Sequence, residues 1–263
     1  MGATALLVWW SVWTPAARPG ISAPSVPSAQ HPLHLTLHER PVIGPPTRTS
    51  HQALYLHELL EKRGKDAGWA LCGVGLMPGD ADMQAKLAEQ EYMYTILSQG
   101  NSGLDATVCG SIMDFVLVPA DPHGAVERLA APEAKIVSMT ITEKGYCLSV
   151  EGNLDLKNRL VEAELPVGAP PKSAWGVIYA ALAMRVRRGI KPFTVMSCDN
   201  MPGNGSLAQR TLFEFASAKA MAGDIFAGEV RACGAGGPDI LSSTYLAMAA
   251  AGGGRLAPHW PAH

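Results

Sequence analysis

The chain has 263 residues, enough for one large domain or two small ones. Its hydrophobic content of 48% and charged content of 17% are typical of a globular protein with a real core. Lys and Arg number 21 against 23 Asp and Glu, so the formal charge is −2 and a basic nucleic-acid surface is not expected. No apolar run approaches the ~20 residues that cross a bilayer, so no membrane partner is expected.

The five cysteines are odd in number and widely spaced, and they form no C-x-x-C pair. This pattern is typical of free thiols in a reducing compartment, and we expect a cytoplasmic protein. The apolar segment 1–13 has no preceding Lys or Arg and no clean A-x-A site, which argues against a signal peptide.

Residues 1–46 contain a Pro-rich leader that we expect to be disordered, without a helix or ladder of any length. His31, His34 and His38 lie in it at i, i+3 and i+7, but they have no set of carboxylate and Cys partners. We interpret them as solvated histidines and predict no metal site.

From residue 51 the chain alternates helical and strand patterns, in the order typical of an α/β fold with a mostly parallel sheet. Strands are predicted at 69–76, 135–142 and 193–196. Helices are predicted at about 51–63, 80–90, 122–129, 174–188 and 206–220. Ser173 is the predicted N-cap and Gly189 the stop of the long helix at 174–188. Segments 92–97 and 107–118 flank an Asn-Ser-Gly turn and predict a short antiparallel excursion.

The most informative stretch is KPFTVMSCDNMPGNG, residues 191–205. A short apolar strand ends in Ser197, Cys198, Asp199 and Asn200, and ligands of open α/β sheets bind just beyond the carboxyl ends of strands. This S-C-D-N-x-x-x-N-G pattern after P-F-T-V-M resembles the polyol-specific long-chain dehydrogenases, which include mannitol 2-dehydrogenase and the fructuronate and tagaturonate reductases. The resemblance covers roughly residues 51–220.

The resemblance implies a Rossmann-like dinucleotide-binding domain, here 47–221, and NAD(H)-dependent hydride transfer between a polyol or hydroxy acid and a ketose. It assigns Asn200 to the substrate oxygen and places the nicotinamide half of the cofactor at Thr140, Thr142 and Glu143. A strand-end Thr is equally consistent with simple β propensity. Asp199 is expected to organise the loop rather than to react.

Asp80 follows the strand at 69–76, where an acid can bind the adenosine ribose and favours NAD over NADP. It is also a candidate helix N-cap, and both roles stay open. Nearby, Gly73 and Gly75 form a glycine cluster whose third member is out of register for G-x-G-x-x-G, so close strand packing is favoured.

The family's G-x-G-x-F-x-R-x-H-Q turn is represented only by His51-Gln52, and the four preceding motif positions hold Ile43, Pro45, Thr47 and Thr49. We therefore expect a damaged phosphate-binding turn and an incomplete first strand. Residues 222–263 are expected to be a poorly ordered Gly/Ala-rich tail that replaces the family's catalytic Lys domain. A truncated or frame-disrupted coding sequence would produce this pattern. The alternative function is thus a non-catalytic remnant with at most weak nucleotide binding; substrate identity and oligomeric state are left open.

Overall fold

A computed structural model describes residues 5–10, 33–38, 54, 57–59, 69–100, 103–199, 201–236 and 240–242. The described strands are β1 Ala5–Trp10, β2 Leu33–His38, β3 Ala70–Gly75, β4 Tyr94–Gly100, β5 Gly103–Cys109, β6 Ile112–Leu117, β7 Ala134–Thr140, β8 Thr194–Ser197 and β9 Ile240–Ser242. The helices labelled here are α1 Ala81–Glu89, α2 Pro122–Ala130, α3 Thr142–Gly145, α4 Arg159–Glu164, α5 Ala174–Arg188, α6 Asn204–Met221 and α7 Ala227–Gly236.

Seven of these strands form one sheet in the order β6-β3-β1-β2-β7-β8-β9. All pairings among β6, β3, β2, β7, β8 and β9 are parallel. Numbered along the chain without β1, these six strands have the order 3-2-1-4-5-6, which is the order of doubly wound dinucleotide-binding sheets. The predicted Rossmann-like architecture is confirmed.

The structure differs from the prediction of a leader without strands at two places. β2 is parallel to β3 from His34 to His38 and therefore stands in the position of the first strand. β1 runs antiparallel to β3 over its whole length and also pairs with β2 and β7. Leu33, Leu35 and Leu37 alternate with the period of two that is typical of a strand, in a segment that contains no proline. The prediction of disorder considered the number of prolines in the leader and not this alternation.

The predicted antiparallel excursion is only partly correct. β4 and β5 form the expected two-stranded hairpin, from Tyr94↔Cys109 to Gly100↔Gly103. The predicted second segment, 107–118, is not one strand, because its latter half is β6 and pairs parallel with β3 in the main sheet.

The tail also contains more structure than predicted. α7 covers Ala227–Gly236, and β9 pairs parallel with β8, opposite Val195–Ser197. In this segment Ala favours a helix and Gly opposes it, so local preference alone does not specify α7, and packing on α6 and β8 supports the two elements.

The long helix α5 forms as predicted and lies at the centre of the core. The Ser173 hydroxyl accepts a hydrogen bond from the Gly176 N–H, and Gly189 ends the helix at φ +64°. Trp175 is fully buried; its indole N–H donates to the Tyr146 carbonyl at 3.1 Å, and the two rings meet edge to face. This contact joins α5 to the segment that follows β7. None of the described helices combines the length and the apolarity that a bilayer crossing requires.

Candidate functional site

The carboxyl ends of β7 and β8 lie side by side and form the centre of the candidate site. The two strands are in parallel register up to Met139↔Ser197. One residue further on, the Cys198 N–H donates to the Met139 carbonyl at 2.8 Å. The residues that the sequence analysis placed after these strands, Thr140–Glu143 and Cys198–Asp199, are therefore brought together at one edge of the sheet.

Asp199 links the two strand ends through its side chain. Its carboxylate accepts hydrogen bonds from the Ile141 N–H at 3.2 Å, the Thr142 N–H at 3.0 Å and the Tyr146 hydroxyl at 3.2 Å. The side chain is buried. Burial, and secondly the negative charge of Asp199, raise the pKa of Tyr146 well above its usual range, so the phenol stays a hydrogen-bond donor. Asp199 thus joins the end of β8 to the turn that follows β7.

Two further polar side chains hold the start of the loop between β8 and α6. The Tyr146 hydroxyl is 2.6 Å from the Ser197 hydroxyl. The Asn204 amide donates to the Asp199 carbonyl at 2.8 Å and to the Ser197 carbonyl at 3.3 Å. Asn204 is the first residue of α6, so both ends of this loop are fixed. Asn200, the residue assigned to the substrate oxygen, belongs to this loop but lies outside the described residues.

The three residues predicted at the end of β7 differ in exposure. Thr140 ends the strand and is buried, whereas Thr142 and Glu143 are exposed. The strand was predicted to continue to Thr142, but that residue has φ +54° and opens the short helix α3. A β-branched residue rarely adopts this left-handed conformation, and such strain is concentrated at functional sites.

Asp80 lies beyond the end of β3, as predicted, but its carboxylate is turned into its own loop. It is 1% exposed and accepts a hydrogen bond from the Met77 N–H at 2.9 Å. Burial raises its pKa, partly offset by the bonds from Met77 and Leu76. It occupies the N-cap position of α1, as predicted, but its side chain makes no hydrogen bond to the first turn of that helix.

The glycines of β3 are packing residues, as the sequence analysis favoured. A Cβ on Gly73 would lie 2.2 Å from the Phe115 ring, and one on Gly75 would lie 2.8 Å from the Asp80 Cβ. These glycines let neighbouring side chains approach the strand and do not form a phosphate-binding turn.

Two cavities of about 450 Å³ open in the described part of the chain, and neither is lined by the strand-end residues of β7 and β8. One lies beside the end of β6, between Gln84, Leu117 and Arg128. The other lies between α2, α5 and α6. The assignment of the strand-end edge therefore depends on its polar geometry rather than on either of these two cavities.

Sequence reasoning missed Tyr146 and Asn204 as members of this cluster. Asn204 entered the sequence analysis only as the second Asn of the S-C-D-N-x-x-x-N-G pattern, and Tyr146 was given no role. Their contacts with Ser197 and Asp199 join residues far apart in sequence. The one available signal was the N-G pair of the resembled motif.

The sheet order and the polar strand ends define a Rossmann-type domain. A sequence model of one family, described as the mannitol dehydrogenase Rossmann domain, matches residues 47–225. The chain belongs to this family.

The relatives found by comparison are oxidoreductases of this type. Mannitol 2-dehydrogenase of Pyricularia oryzae is 40% identical over 174 residues, which is 65% of this chain and 34% of the relative. D-mannonate oxidoreductase of Escherichia coli is 40% identical over 173 residues, covering 65% and 35%. The chain therefore spans about a third of the length of these curated relatives.

Among solved structures, Pseudomonas fluorescens mannitol 2-dehydrogenase in ternary complex with NAD and D-mannitol superposes with a TM-score of 0.63 at 36% identity. The match covers 69% of this chain and 36% of that one. A D-sorbitol dehydrogenase in substrate-free form gives the same TM-score at 34% identity, covering 70% and 38%.

Proposed function

We propose that this chain binds NAD(H) at the carboxyl edge of its sheet and serves hydride transfer between a polyol or hydroxy acid and a ketose. The observation that carries the proposal is the Asp199 carboxylate, which joins the ends of β7 and β8. In a sheet of order 3-2-1-4-5-6, these ends lie beside the crevice where dinucleotides bind. The solved relative in complex with NAD and D-mannitol supports the same ligand pair.

Polar side chains at this edge are exposed where we expect the nicotinamide half of the cofactor and buried where we expect the adenosine half. At the end of β7, Thr142 and Glu143 offer exposed polar groups for the nicotinamide half, with Thr140 directly beneath them. Asp80 lies at the end of β3, three positions from β7 in the strand order, and is assigned to the adenosine ribose. Because its carboxylate is buried, ribose binding requires the Pro78–Asp80 turn to open, or requires the ribose to bond to the backbone of that turn. An acid at this position disfavours a 2′-phosphate, so we propose NAD rather than NADP.

NAD accepts a hydride from the alcohol carbon when it is bound. The Asn200 amide is assigned to donate a hydrogen bond to the substrate oxygen, where negative charge develops. Asp199, Ser197 and Asn204 hold the two ends of the loop that carries Asn200. The proton that the alcohol loses goes to solvent, since no residue of the chain is assigned to accept it.

The test is NADH oxidation with fructose and NAD reduction with mannitol, for the wild type and Asn200→Ala. Removal of one donor to a developing oxyanion typically lowers kcat by about 10²- to 10³-fold. Asn153→Ala is the matched control, because Asn153 is an exposed residue between Gly152 and Leu154. Equal activity of Asn200→Ala and wild type would refute the role of Asn200.

The second candidate is a nucleotide-binding domain without turnover. It is favoured by the described strand ends, which offer polar groups for a cofactor but to none of which the alcohol proton is assigned. Saturable NADH binding together with no turnover of mannitol or fructose would establish this candidate over the first.

We also propose that the protein is cytoplasmic. Cys72, Cys109, Cys147 and Cys198 are buried and unbonded to one another, as expected in a reducing compartment. Recovery of the protein in the secreted fraction of the source cells would contradict this proposal.

A further inference from the structure

The backbone between β7 and α3 has an unusual conformation that the structure explains by a single side chain. Thr142 stands at φ +54°, a region in which a β-branched side chain is crowded against its own backbone. Its N–H and that of Ile141 both point to the Asp199 carboxylate, at 3.0 and 3.2 Å. Both bonds are charge-assisted when the carboxylate is ionised. They stabilise a backbone conformation at Thr142 that a threonine does not favour by itself.

The carboxylate itself is held in place from the other side. Tyr146 donates to Asp199 and contacts Ser197, and it packs edge to face on the fully buried Trp175. The Asn204 amide bonds to the Asp199 carbonyl. The Asp199 side chain that fixes Thr142 is therefore held in place by contacts that involve α5, α6 and β8.

We propose that Asp199 is a positioning residue for the nicotinamide end of the site. It holds Ile141 and the left-handed Thr142 in the turn that exposes Thr142 and Glu143 at the edge of the sheet. It does not touch the cofactor. This inference rests on the proposed NAD(H) binding, and it predicts that Asp199 affects the nicotinamide half and not the adenosine half.

The first test does not involve a ligand. Amide hydrogen exchange of the apo protein is measured for wild type, Asp199→Asn and Tyr146→Phe. Asp199→Asn replaces one acceptor oxygen by an NH₂ group of the same shape, so at least one of the Ile141 and Thr142 amides loses its partner. Loss of a hydrogen bond to a charged group is expected to accelerate its exchange by on the order of 10- to 100-fold. Tyr146→Phe removes one hydrogen bond to the carboxylate but leaves both amide bonds in place, so it should accelerate the exchange of these amides less than Asp199→Asn does.

The second test separates positioning from general damage. NADH and AMP are titrated separately into wild type and Asp199→Asn under conditions in which both are folded. Kd for NADH should rise by about 10-fold or more if one charge-assisted bond fixes the nicotinamide end, whereas Kd for AMP should stay within about twofold. A variant whose fold is destabilised in general would lose affinity for both NADH and AMP.

Two results would overturn the positioning role of Asp199. The first is that the Ile141 and Thr142 amides exchange equally fast in wild type and Asp199→Asn. The second is that Asp199→Asn loses affinity for NADH and AMP equally. If Asp199→Asn does not fold, Asp199→Glu, which keeps the charge but displaces it by one methylene, replaces it with the same expectations. A wild type that binds neither ligand would refute the NAD(H) function, and the exchange data would still show whether Asp199 fixes the turn.

Discussion

Substitution of Gly73 by alanine should destabilise the domain because of one specific contact. Gly73 lies directly opposite Phe115 in the β3–β6 pair, and an added Cβ would stand 2.2 Å from the ring Cδ2 and 2.7 Å from Cε2. Carbon atoms in contact are normally about 3.5–4.0 Å apart. Phe115 is 3% exposed, so its ring can move aside only by displacing other core residues. Overpacking of this kind typically costs about 1–3 kcal/mol.

The measurement is urea denaturation of the full chain followed by tryptophan fluorescence. For a domain of this size, each kcal/mol also lowers the melting temperature by about 2–4 °C. Gly79→Ala is the matched control, because no atom lies within 4 Å of the Cβ it would add, and its effect should stay within about 0.5 kcal/mol.

A double-mutant cycle identifies the contact itself. Phe115→Leu removes the ring atoms that a Cβ at position 73 would meet, so Gly73→Ala should be better tolerated in that background. The coupling free energy should be about 0.5–3 kcal/mol. If the two substitutions are additive, or if Gly73→Ala behaves like Gly79→Ala, the glycine is not required for close packing and the reasoning fails.

Three further predictions concern α5 and the groups around it. Ser173→Ala removes the hydroxyl that caps Gly176 and donates to Glu164 at 2.6 Å, and it should lower the unfolding free energy by about 1–2 kcal/mol in urea titrations; no change would contradict the cap. Trp175→Phe leaves the buried Tyr146 carbonyl without its indole donor and should cost about 1–3 kcal/mol; a loss under 0.5 kcal/mol would show that the bond is dispensable. Burial raises the pKa of Glu164 above its ordinary value of 4.5, although hydrogen bonds from Ser173 and Lys172 oppose the shift. The native state therefore holds this proton more tightly than the unfolded chain, and the associated stability, complete below pH 4.5, is lost as pH rises through the native pKa. Glu164→Gln should gain stability relative to wild type over that range, and the opposite trend would mean that the hydrogen bonds outweigh burial.

The elements whose ends are marked by local chemistry were predictable from the sequence. Helix α5 begins after Ser173, whose hydroxyl caps the first turn, and ends before Gly189, which adopts the left-handed conformation. Each of these signals lies within one turn of the helix end that it marks, so it can be recognised in the sequence. The strand β8 and its polar end were likewise readable, since an apolar run is followed at once by small polar residues.

The elements that depend on distant partners were not predictable in the same way. β2 is a short alternating segment between prolines. It forms a strand because it pairs with β3 and β7 in the sheet. β9 depends similarly on the edge of β8. At the site, the bond from Ile141 to Asp199 joins residues 58 positions apart, and no local pattern encodes such a pair.

The central claim is that this chain carries an NAD(H) site at the carboxyl edge of its sheet. Its most direct test is a fluorescence titration of the purified full-length chain with NADH, with NADPH as the competing nucleotide. The account predicts saturable binding of NADH and weaker binding of NADPH. No NADH binding, in a protein that circular dichroism and a cooperative thermal transition show to be folded, would contradict it.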